Sequence, residues 1–567
     1  MQSNWAALQT KIKAKGGRAL RPEKRDKPAQ ASGSSPEDAR ETKKRKKRAR
    51  RRANDDGTRG RSSEQTSETA TTSRRSRIAN ASNEPVRVDA GDAAPRTRPP
   101  DETRILDDAA PLAPERRRAL ISASALGGPN VSIERSLETL SRAAIIEAAR
   151  LEAVSHLCFA FERAASPLLG ANRWANAFEE LMFSHDAAAD PLLPTDDAAR
   201  AFCEARFEDA ARAEPPMRSF VEPPTGSATA TPRDAVERSA TASIVAATRR
   251  ARDAVARAAA RAAGAGAGAS EIRAERLDPP TAKARDAGQA HPARVRLSLG
   301  RAKVELRLEH FRKLACLWNS RARAAGVDNE TVDENGANVE TDGNGDARER
   351  FLRAAFACAA RVVAAQGGMH RVAGGHHAAL HGEVFDVLKY GSLRVEAELF
   401  ASPLNCRYDA FCSAHADVDA PFGSLGSFFA FSPRDGSFEV NPPFESALVA
   451  RVAARLEMLL VDAEARGAAL SFAVITPYWP RRAAWDALRK SAFRRRAPLV
   501  VAARDHGYVD GAQHCKKKTH KPASCDTCVL FLQTSLGRVK YAPSDDTEEA
   551  LRAAFRPRRG ERSARET

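Results

Sequence analysis

The chain has 567 residues, enough for two or three domains. Its nine cysteines are spread over this length and do not suggest a disulfide framework, so a reducing compartment is expected. No apolar run approaches the roughly 18 residues of a membrane span, and the N-terminus lacks the apolar core of a secretory signal. The formal net charge is +18, but residues 1–60 hold 19 Lys and Arg against 7 Asp and Glu. The excess of Lys and Arg therefore lies mainly in the tails.

Basic, polar sequence at both ends of the chain is predicted to be disordered. Residues 1–115 contain few large apolar side chains and cannot bury enough surface to offset chain entropy. Within them, the runs Lys43–Arg48 and Arg50–Arg52 are typical of a nuclear import signal or a phosphate-binding arm, and a solvated tail is the alternative. Residues 551–567 form a second basic tail. Nuclear import is therefore one of the roles that these basic runs leave open.

An α-helical domain is predicted for residues 116–213. Apolar residues recur there at helical spacing, and alanine is frequent. Helices are predicted over 132–164, 173–183 and 196–213. Three arginines of the first helix are interpreted as a solvated face: Arg142, Arg150 and Arg163.

Residues 214–292 are interpreted as a low-complexity linker or insertion, with a flexible Gly/Ala run at 263–268. Within them, the Ala/Arg-rich part from Ile244 to Ala263 is interpreted as a surface helix or as a segment that becomes ordered only with a partner. Residues 293–384 are expected to join the helical domain to the C-terminal core through a hairpin and helices, with an acidic disordered loop at 326–347. Four histidines follow: His370, His376, His377 and His381. Their spacing matches no familiar metal motif, so a solvated loop is expected and no metal site is predicted.

Residues 385–550 read as an α/β domain. Strands are predicted at 395–400, 437–440 and 470–475, with a helix over 445–467 between the last two. Alternation of strands and helices in this way favours a parallel sheet with helices on its faces. The turn after the first strand lacks the Gly-x-Gly of many nucleotide-binding loops.

The tetrapeptide Asn441-Pro442-Pro443-Phe444 follows directly on the strand Ser437–Val440. Two prolines cannot continue a strand, so an amide is held at its end with an aromatic ring three residues later. If Asn441 Oδ1 and the Pro442 carbonyl each accept an N–H bond, an aromatic amine such as adenine N6 can attack an electrophilic methyl group. Phe444 would stack on the base. A plain β–α turn is the competing interpretation of the tetrapeptide alone.

A series of motifs surrounds this tetrapeptide in one order between residues 385 and 545. They are Phe400-Ala-Ser-Pro-Leu-Asn-Cys-Arg-Tyr408, Phe422-Gly-Ser-Leu-Gly426, Gly436-Ser-Phe-Glu-Val-Asn-Pro-Pro-Phe444, Pro477-Tyr-Trp479, His506-Gly-Tyr508 and Val529-Leu-Phe-Leu-Gln533. The series resembles the phosphorylated carboxy-terminal-domain interacting factor family. Members of that family are cap-specific adenosine N6-methyltransferases that use S-adenosylmethionine (SAM).

The resemblance implies a Rossmann-like SAM-dependent methyltransferase domain at 385–550, preceded by an α-helical domain and flanked by disordered basic tails. SAM is the implied cofactor. The candidate cofactor-binding residues are Ser402, Pro403, Asn405, Phe422, Gly423 and Ser424. One of Asp417 and Asp419 is a candidate for the methionine ammonium, with loop solvation as the alternative.

The resemblance also implies N6-methylation of adenosine at the first transcribed nucleotide of capped mRNA, with Asn441, Pro442, Pro443 and Phe444 as catalytic residues. The candidate substrate-binding residues are Trp479, Arg481, Arg504, Asp505 and His506. Trp479 would stack on the cationic guanine of the cap. Two acids of the family are missing, because Tyr478 and Gly507 stand in their places. Residues 481–522 hold 12 Lys and Arg against 3 Asp and Glu, which suits a triphosphate and an RNA backbone.

No WW module is expected, because the N-terminal part offers no suitably spaced pair of tryptophans. Binding to the phosphorylated tail of RNA polymerase II is therefore not predicted. The pair Cys525 and Cys528 resembles half of a zinc site, but no metal is predicted. Two alternative functions stay open: a cap-independent RNA or DNA adenine N6-methyltransferase, and a catalytically idle methyltransferase fold that serves as an RNA-binding scaffold.

Overall fold

The computed structural model describes residues 112–124, 136–170, 173–183, 190–213, 232–264, 271–277, 293–325, 331–333, 345–368, 376–516 and 519–556. No helix within these ranges is long and apolar enough to cross a membrane. The predictions for the basic tails, for the Gly/Ala run and for the acidic loop lie almost wholly outside the described residues, as does His370.

Among the described residues, five helices precede the first strand. They are α1 (Pro114–Ser122), α2 (Leu137–Leu169), α3 (Trp174–Phe183), α4 (Asp196–Ala213) and α5 (Pro232–Gly264). Helix α2 begins after Ser136, whose hydroxyl accepts the backbone N–H of Thr139 at 3.2 Å, and it ends at Gly170 with φ of +84°. The three helices predicted for this region are thus present, the first one shifted a few residues toward the C-terminus.

The described part of residues 214–292 is not a linker, and the helix that was one interpretation of 244–263 is longer than expected and packed. Helix α5 lies there, and the strand β1 (Arg273–Leu277) follows it. The helix packs along α2 through a buried face of mostly small residues, among them Ala240, Ile244, Ala247, Ala251 and Val255. Alanines at helical spacing permit close helix–helix contact, so an Ala/Arg-rich composition describes a packed helix with a charged outer face.

The predicted hairpin is present. Its strands β2 (Arg294–Leu299) and β3 (Ala302–Arg307) pair antiparallel around Gly300, which has φ of +57°, and β1 pairs with β2. The helices α6 (Leu308–Ala324), α7 (Gly345–Ala365) and α8 (Gly382–Tyr390) follow. Helix α7 is buried from Phe351 to Ala365, so it forms the centre of this part of the core.

A six-stranded sheet organises the C-terminal part. Its strands are β4 (Ala397–Ala401), β5 (Phe411–Ser413), β6 (Gly436–Val440), β7 (Leu470–Pro477), β8 (Leu499–Val501) and β11 (Thr527–Gln533). Their spatial order is β5-β4-β6-β7-β11-β8. The first four of these are parallel, and β11 is antiparallel to both of its neighbours. The predicted α/β class is therefore confirmed as a mixed fold with a mostly parallel sheet.

The strand order reverses at β4, since β5 lies on one side of it and β6 on the other. Ligands of open α/β sheets bind outside the carboxyl ends of the strands at such a reversal. The remaining elements complete the fold around the sheet: α9 (Ala416–Asp419), α10 (Ser446–Ala465), α11 (Ala483–Lys490), α12 (Ser535–Lys540), α13 (Asp545–Ala554), β9 (Gly507–Val509) and β10 (His520–Pro522). Helix α13 runs past residue 550, where the second tail was predicted to begin.

One hydrophobic core joins the helical region to the sheet. It contains Trp318 of α6 and reaches Leu404, Phe411 and Phe422 beside β4 and β5. A second core, around Phe438, Phe472 and α10, covers one face of the sheet; the third, around Tyr408 and Ile475, includes residues of α8 and α13. The helical region and the sheet therefore share buried side chains rather than meeting at a polar boundary.

Helix α1 fastens the start of the described chain to the sheet. Arg116 pairs with Glu396 at 2.6 Å and donates to the Asp435 carbonyl at 2.7 Å, and Arg117 pairs with Asp409. Leu120 is buried. Glu396 and Asp435 precede β4 and β6, so this helix lies at the amino-terminal ends of the strands, opposite the ends where ligands bind.

Candidate active site

A cavity of about 590 Å³ lies at the carboxyl ends of β4, β5 and β6. The sheet contributes Leu399–Ser402, Ser413–His415 and Asn441, and the helical region contributes residues such as Met182, Leu192 and Val362. The cavity thus coincides with the reversal of strand order at β4. Its volume lies within the range of about 300–1,000 Å³ that is usual for small-molecule sites.

Asn441 lies at the end of β6 and lines the cavity. Its Oδ1 is buried and accepts no hydrogen bond from any described residue. A buried amide oxygen without a donor is costly, so a ligand N–H is the natural partner. Pro443 also lines the cavity, whereas Pro442 is buried behind it. The tetrapeptide therefore holds an orphaned acceptor at the mouth of a ligand-sized space.

Phe444 does not line the cavity. Its ring packs edge-on against Tyr508 at a centroid distance of 5.6 Å and is partly buried in the core beside β7 and β11. This edge-on contact leaves Phe444 half-buried, so the stacking of this ring on the base stays a prediction.

The turn after β4 is shaped by an amide in place of glycines. The side-chain Oδ1 of Asn405 accepts the backbone N–H of Ser402 at 2.7 Å and the hydroxyl of Ser402 at 3.0 Å. Lys313 of α6, which is buried, donates from Nζ to the carbonyls of Leu404 and Cys406. Ser402 and Asn405 line the cavity, whereas Pro403 is buried outside its lining. The missing Gly-x-Gly therefore does not prevent a compact ligand-facing turn.

Phe422, Gly423 and Ser424 lie behind the cavity rather than in its wall. Phe422 is fully buried, with its ring 6.2 Å from that of Trp318. Gly423 has φ of +99°, and a Cβ at this position would lie 3.1 Å from the Asp409 carbonyl oxygen, so the fold itself requires glycine. Ser424 Oγ lies 2.7 Å from Ser413 Oγ. Direct cofactor contact by these three residues is not supported, since only Ser413 reaches the cavity.

The two acids of the 415–419 turn have different environments. Asp417 pairs with Arg361 at 2.7 Å. Asp419 is 1% exposed and lines the cavity, and its Oδ2 accepts no hydrogen bond within the described part of the chain. Burial raises the pKa of Asp419 to about 7. Of the two candidates, Asp419 therefore offers the carboxylate that a bound cation would meet.

Several lining residues were not predicted from the sequence. His377, His415, Phe428, Phe429, Gln366 and Arg451 all contribute to the wall. Burial lowers the pKa of His415 to about 3, so its imidazole is neutral at physiological pH. The Arg451 guanidinium lies 4.6 Å from the Phe429 ring centroid. These residues come from distant segments and carry no local motif, so only the fold brings them together.

The predicted substrate residues lie outside the cavity lining, on loops that follow β7 and β8 at the same edge of the sheet. Asp526 links these loops, because its carbonyl accepts the Tyr478 N–H and its Oδ1 accepts the Ala503 N–H, each at 2.8 Å. Trp479 is half-buried and Arg481 is exposed. The side chains of Arg504 and Asp505 are 87% and 53% exposed. These groups form a polar surface with one aromatic ring.

His506 differs from the prediction that it contacts substrate. It is 2% exposed, its Nδ1 lies 2.7 Å from the Ala502 carbonyl, and its Nε2 lies 2.8 Å from Thr527 Oγ1. Both ring nitrogens are therefore occupied by the protein. The residue fixes the loop after β8 and offers no edge to a ligand.

Much of the basic charge in residues 481–522 is used inside the protein. Arg494 donates to the Arg489 carbonyl at 2.7 Å, Arg495 donates to the Gln533 carbonyl at 2.6 Å, and Arg496 pairs with Glu548 at 3.2 Å. Lys516 pairs with Asp510 at 2.6 Å. Among the described residues of this range, Arg481, Arg482, Lys490 and Arg504 are exposed, and Lys490 pairs with Asp486.

The arginines of α2 also differ in exposure. Arg142 pairs with Glu138 on the surface, and Arg163 is exposed, as predicted. Arg150 is buried and pairs with Asp190 at 2.8 Å, so its interpretation as solvated is wrong. Among the described residues, no group of three or more His, Cys, Asp or Glu is arranged to hold a metal ion. Cys528 is buried in β11, and Cys525 lies in the turn before it.

The fold and the cavity define a mixed α/β protein of the class that includes α/β methyltransferases. A sequence model described as the phosphorylated CTD interacting factor 1 WW domain matches residues 338–511. Two curated relatives, from Homo sapiens and Mus musculus, are named mRNA (2'-O-methyladenosine-N(6)-)-methyltransferase. Each is 42% identical over 166 residues, which are 29% of this chain and 23% of the relative. The predicted resemblance to the phosphorylated CTD-interacting factor family is confirmed.

The chain therefore matches less than a quarter of the length of these relatives. The family match also corrects one prediction. No WW module was expected, but the matching model carries the WW-domain description of this family. The prediction looked for a pair of tryptophans near the N-terminus, whereas the match begins at residue 338 and does not depend on such a pair. The argument against a WW module is therefore wrong.

Proposed function

We propose that this protein catalyses SAM-dependent N6-methylation of adenosine at the first transcribed nucleotide of m7G-capped mRNA. The observation that carries the proposal is the buried Oδ1 of Asn441, which lines the cavity without a hydrogen-bond donor from the described residues. The activity for which the two relatives are named supports the same reaction. The sheet supports a Rossmann-like methyltransferase domain, with the helical region packed on it.

Asn441 and Pro442 would act by position and polarity. The lone pair of an adenine amine is delocalised into the ring, and two acceptors on its N–H bonds favour a more pyramidal, nucleophilic nitrogen. When bound, SAM would supply the electrophilic methyl carbon for this nitrogen, its sulfur would leave with the electron pair of the broken carbon–sulfur bond, and the amine proton would pass to solvent. The apolar walls at Leu399 and Phe428 limit water around the reacting atoms.

The cavity residues fit SAM chemically. Asp419 has a buried carboxylate oxygen that takes no hydrogen bond from the described residues, which suits the ammonium of the methionine part. Arg451 offers a cation for the carboxylate of the same part. Phe428 and Phe429 offer apolar faces for an adenine ring, and Ser402 and Asn405 offer polar atoms beside β4. We therefore assign SAM to this cavity.

The exposed surface beside the cavity would hold the cap. Trp479 offers an aromatic face to the cationic guanine, and Arg481, Arg482 and Arg504 offer positive charge to the triphosphate. Asp505 is exposed and available for hydrogen bonds to the substrate. A nuclear location belongs to the same proposal, since the substrate is nascent mRNA and the run Lys43–Arg48 is typical of an import signal.

Methyl transfer from labelled SAM to matched RNAs tests this function. The RNAs begin with adenosine and differ only in the presence of the m7G cap. We expect incorporation into the capped RNA alone, and loss of incorporation with Asn441→Ala. The control Arg538→Ala removes an exposed arginine of α12 and should retain activity.

Two other outcomes would overturn the proposal. Equal incorporation into capped and uncapped RNA would identify a cap-independent adenine methyltransferase. Binding of RNA with no incorporation and no binding of SAM would identify a scaffold.

A further inference from the structure

A cluster of buried charges lies next to the cavity but outside the residues assigned to catalysis. Arg361 of α7 and Glu147 of α2 are 1% and 2% exposed. Arg150 and Asp190 extend the cluster on one side, and Asp417 extends it on the other. Removing charges from water costs several kcal/mol for each ion unless partners compensate. A cluster of this kind therefore calls for a reason beyond packing.

Arg361 joins two parts of the fold through both edges of its guanidinium. Nε and Nη2 donate to the Glu147 carboxylate at 2.7 Å each. Nη1 and Nη2 donate to the Asp417 carboxylate at 3.1 and 2.7 Å. A planar fork with two fixed carboxylates defines orientation as well as charge. The turn that contains Asp417 is thus held to the helical region at a defined angle.

The same helix holds the acid that faces the cavity. Cys358 lies one turn before Arg361 on α7, and its thiol donates to Asp419 Oδ1 at 3.4 Å. The other oxygen of Asp419, Oδ2, is the atom that meets no donor from the described residues. Val362 of α7 lines the cavity as well. Helix α7 therefore fixes Asp419 from one side through Cys358 and from the other through Arg361 and Asp417.

The second arm of the cluster reaches another wall of the cavity. Arg150 donates to Asp190 Oδ2 at 2.8 Å, and Asp190 Oδ1 accepts the backbone N–H groups of Leu192 and Leu193 at 2.9 and 2.8 Å. Leu192 lines the cavity. The cluster thus positions both the apolar wall at Leu192 and the carboxylate of Asp419.

We propose that Arg361 is a positioning residue for cofactor binding: it holds the 415–419 turn so that Asp419 meets the ammonium of SAM, and through Glu147 it makes this contact depend on the helical region. The inference rests on the proposed function, since it takes SAM as the ligand of the cavity. It assigns no chemical step to Arg361.

The charges around Asp419 give the proposal a signature that loss of structure alone would not produce. Burial is the main cause of its raised pKa; Asp417 raises the pKa further, and Arg361, the Ser413 hydroxyl and the Cys358 thiol lower it. His415 and Cys406 lie close by, and burial lowers the pKa of His415 and raises that of Cys406. Loss of Arg361 should therefore move the pKa of Asp419 upward, whereas loss of the Asp417 charge should move it downward.

Calorimetric titration of the full chain with SAM, repeated on both sides of neutral pH, tests this inference. The variants are Arg361→Gln and Asp417→Asn, with Arg353→Gln as the matched control. Arg353 lies on the same helix, is equally buried and pairs with Glu349 instead. We expect each of the first two variants to weaken SAM binding about tenfold. The pH midpoint of binding should move up for Arg361→Gln and down for Asp417→Asn, and it should stay in place for Arg353→Gln.

The outcomes separate this inference from the proposed function. If the wild-type chain does not bind SAM, the proposed function fails. If the wild-type chain binds SAM and the first two variants behave like Arg353→Gln, or if both midpoints move in the same direction, the role of Arg361 is overturned while the function stands. Asp417 is about half exposed, so Asp417→Asn should fold and decide the matter even if Arg361→Gln does not.

Discussion

At the scale of single residues, the proposed function places the group that would position the amine apart from the groups that would hold SAM. Asn441 stands at the end of β6, whereas Ser402, Asn405 and Asp419 surround the neighbouring strands β4 and β5. The proposed reaction needs both sets, but they should fail in different ways when they are changed. Substitution of a positioning group lowers kcat, and substitution of a cofactor ligand raises the Kd for SAM.

Asn441→Ala should lower kcat by about a hundredfold to a thousandfold, the usual cost of removing one preorganised polar group at a reacting atom. The Kd for SAM should change little, because Asn441 faces the amine. Asn405→Ala serves as the comparison and should weaken SAM binding, because the Asn405 amide shapes the turn at Ser402. Steady-state kinetics and SAM titration of both variants check this division. A larger effect of Asn441→Ala on SAM binding than on kcat would contradict it.

Trp479→Ala should raise the KM for capped RNA and leave the KM for SAM unchanged, since its ring lies on the loop after β7 and outside the cavity lining. Loss of a stacked base is expected to cost about 1–3 kcal/mol, or roughly tenfold to a hundredfold in KM. Trp479→Phe keeps an aromatic face and should recover most of the affinity. Equal KM values for the alanine and phenylalanine variants would remove Trp479 from the cap site.

Individual residues show which parts of the site could be predicted from the sequence. Asn441, Ser402 and Asn405 were predicted and do line the cavity, because each follows a strand with a recognisable motif. Phe422 and His506 were predicted by the same resemblance and are buried instead. A motif indicates that a residue is needed, but it does not predict whether the polar atoms of that residue bond to neighbouring residues or to a ligand. Asp419 and His415 carried weak signals or none, since their environment arises from α7 and the sheet.

At the scale of elements, α5 shows a limit of composition. An Ala/Arg-rich stretch after a proline-rich one was interpreted as part of a linker or as a surface helix, yet it is a helix that packs along α2. Alanine is weak evidence for burial, because it is as compatible with an exposed helix as with a close helix–helix contact. The strands β4, β6 and β7 were predictable, since their apolar runs are longer and bounded by turn residues. The antiparallel pairing of β11 with β7 and β8 depends on register that the sequence does not state.

Two buried carboxyl groups face each other across β4 and β6. Glu398 and Glu439 are register partners on adjacent parallel strands, so their Cβ atoms are about 5 Å apart. Both are almost fully buried, and Glu398 accepts the backbone N–H of Tyr408 at 2.7 Å. Burial raises the pKa of Glu398 to about 7, and burial together with the Glu398 charge raises that of Glu439 well above its usual value. The pair therefore retains protons that the unfolded chain loses.

This pair predicts a pH dependence of stability. The folded-state pKa values lie above the unfolded value of 4.5, so the folded state binds more protons and its stability falls as the pH rises from that value through about 7. Glu439→Gln removes one acid and should raise the free energy of unfolding at alkaline pH, with little effect at acidic pH.

Chemical denaturation at several pH values checks the effect of Glu439→Gln, with the exposed Glu549→Gln as the control. A stability gain that does not depend on pH, or that appears for both variants, would show that the raised pKa of Glu439 is not the cause of the gain.

At the scale of the whole molecule, the helical region and the sheet share one hydrophobic core, so we expect them to fold together. Leu404, Phe411 and Phe422 belong to the sheet region but pack in the core that contains α2, α5 and α7. The cavity itself draws walls from both parts. We therefore expect residues 385–556 alone to lack a cooperative unfolding transition and to bind no SAM. Calorimetry and SAM titration of this fragment, compared with the full chain, provide the test. A folded, SAM-binding fragment would show that the two parts are independent.

The position of the transferred methyl group tests the central claim most directly. Capped RNA whose first transcribed nucleotide is 2'-O-methyladenosine is incubated with SAM and the full chain, digested to nucleosides, and analysed by mass spectrometry beside the Asn441→Ala variant. The account predicts N6,2'-O-dimethyladenosine from the first nucleotide with the wild-type chain and none with the variant. Methylation of internal adenosines or of the cap guanine, or equal product from Asn441→Ala, would contradict it.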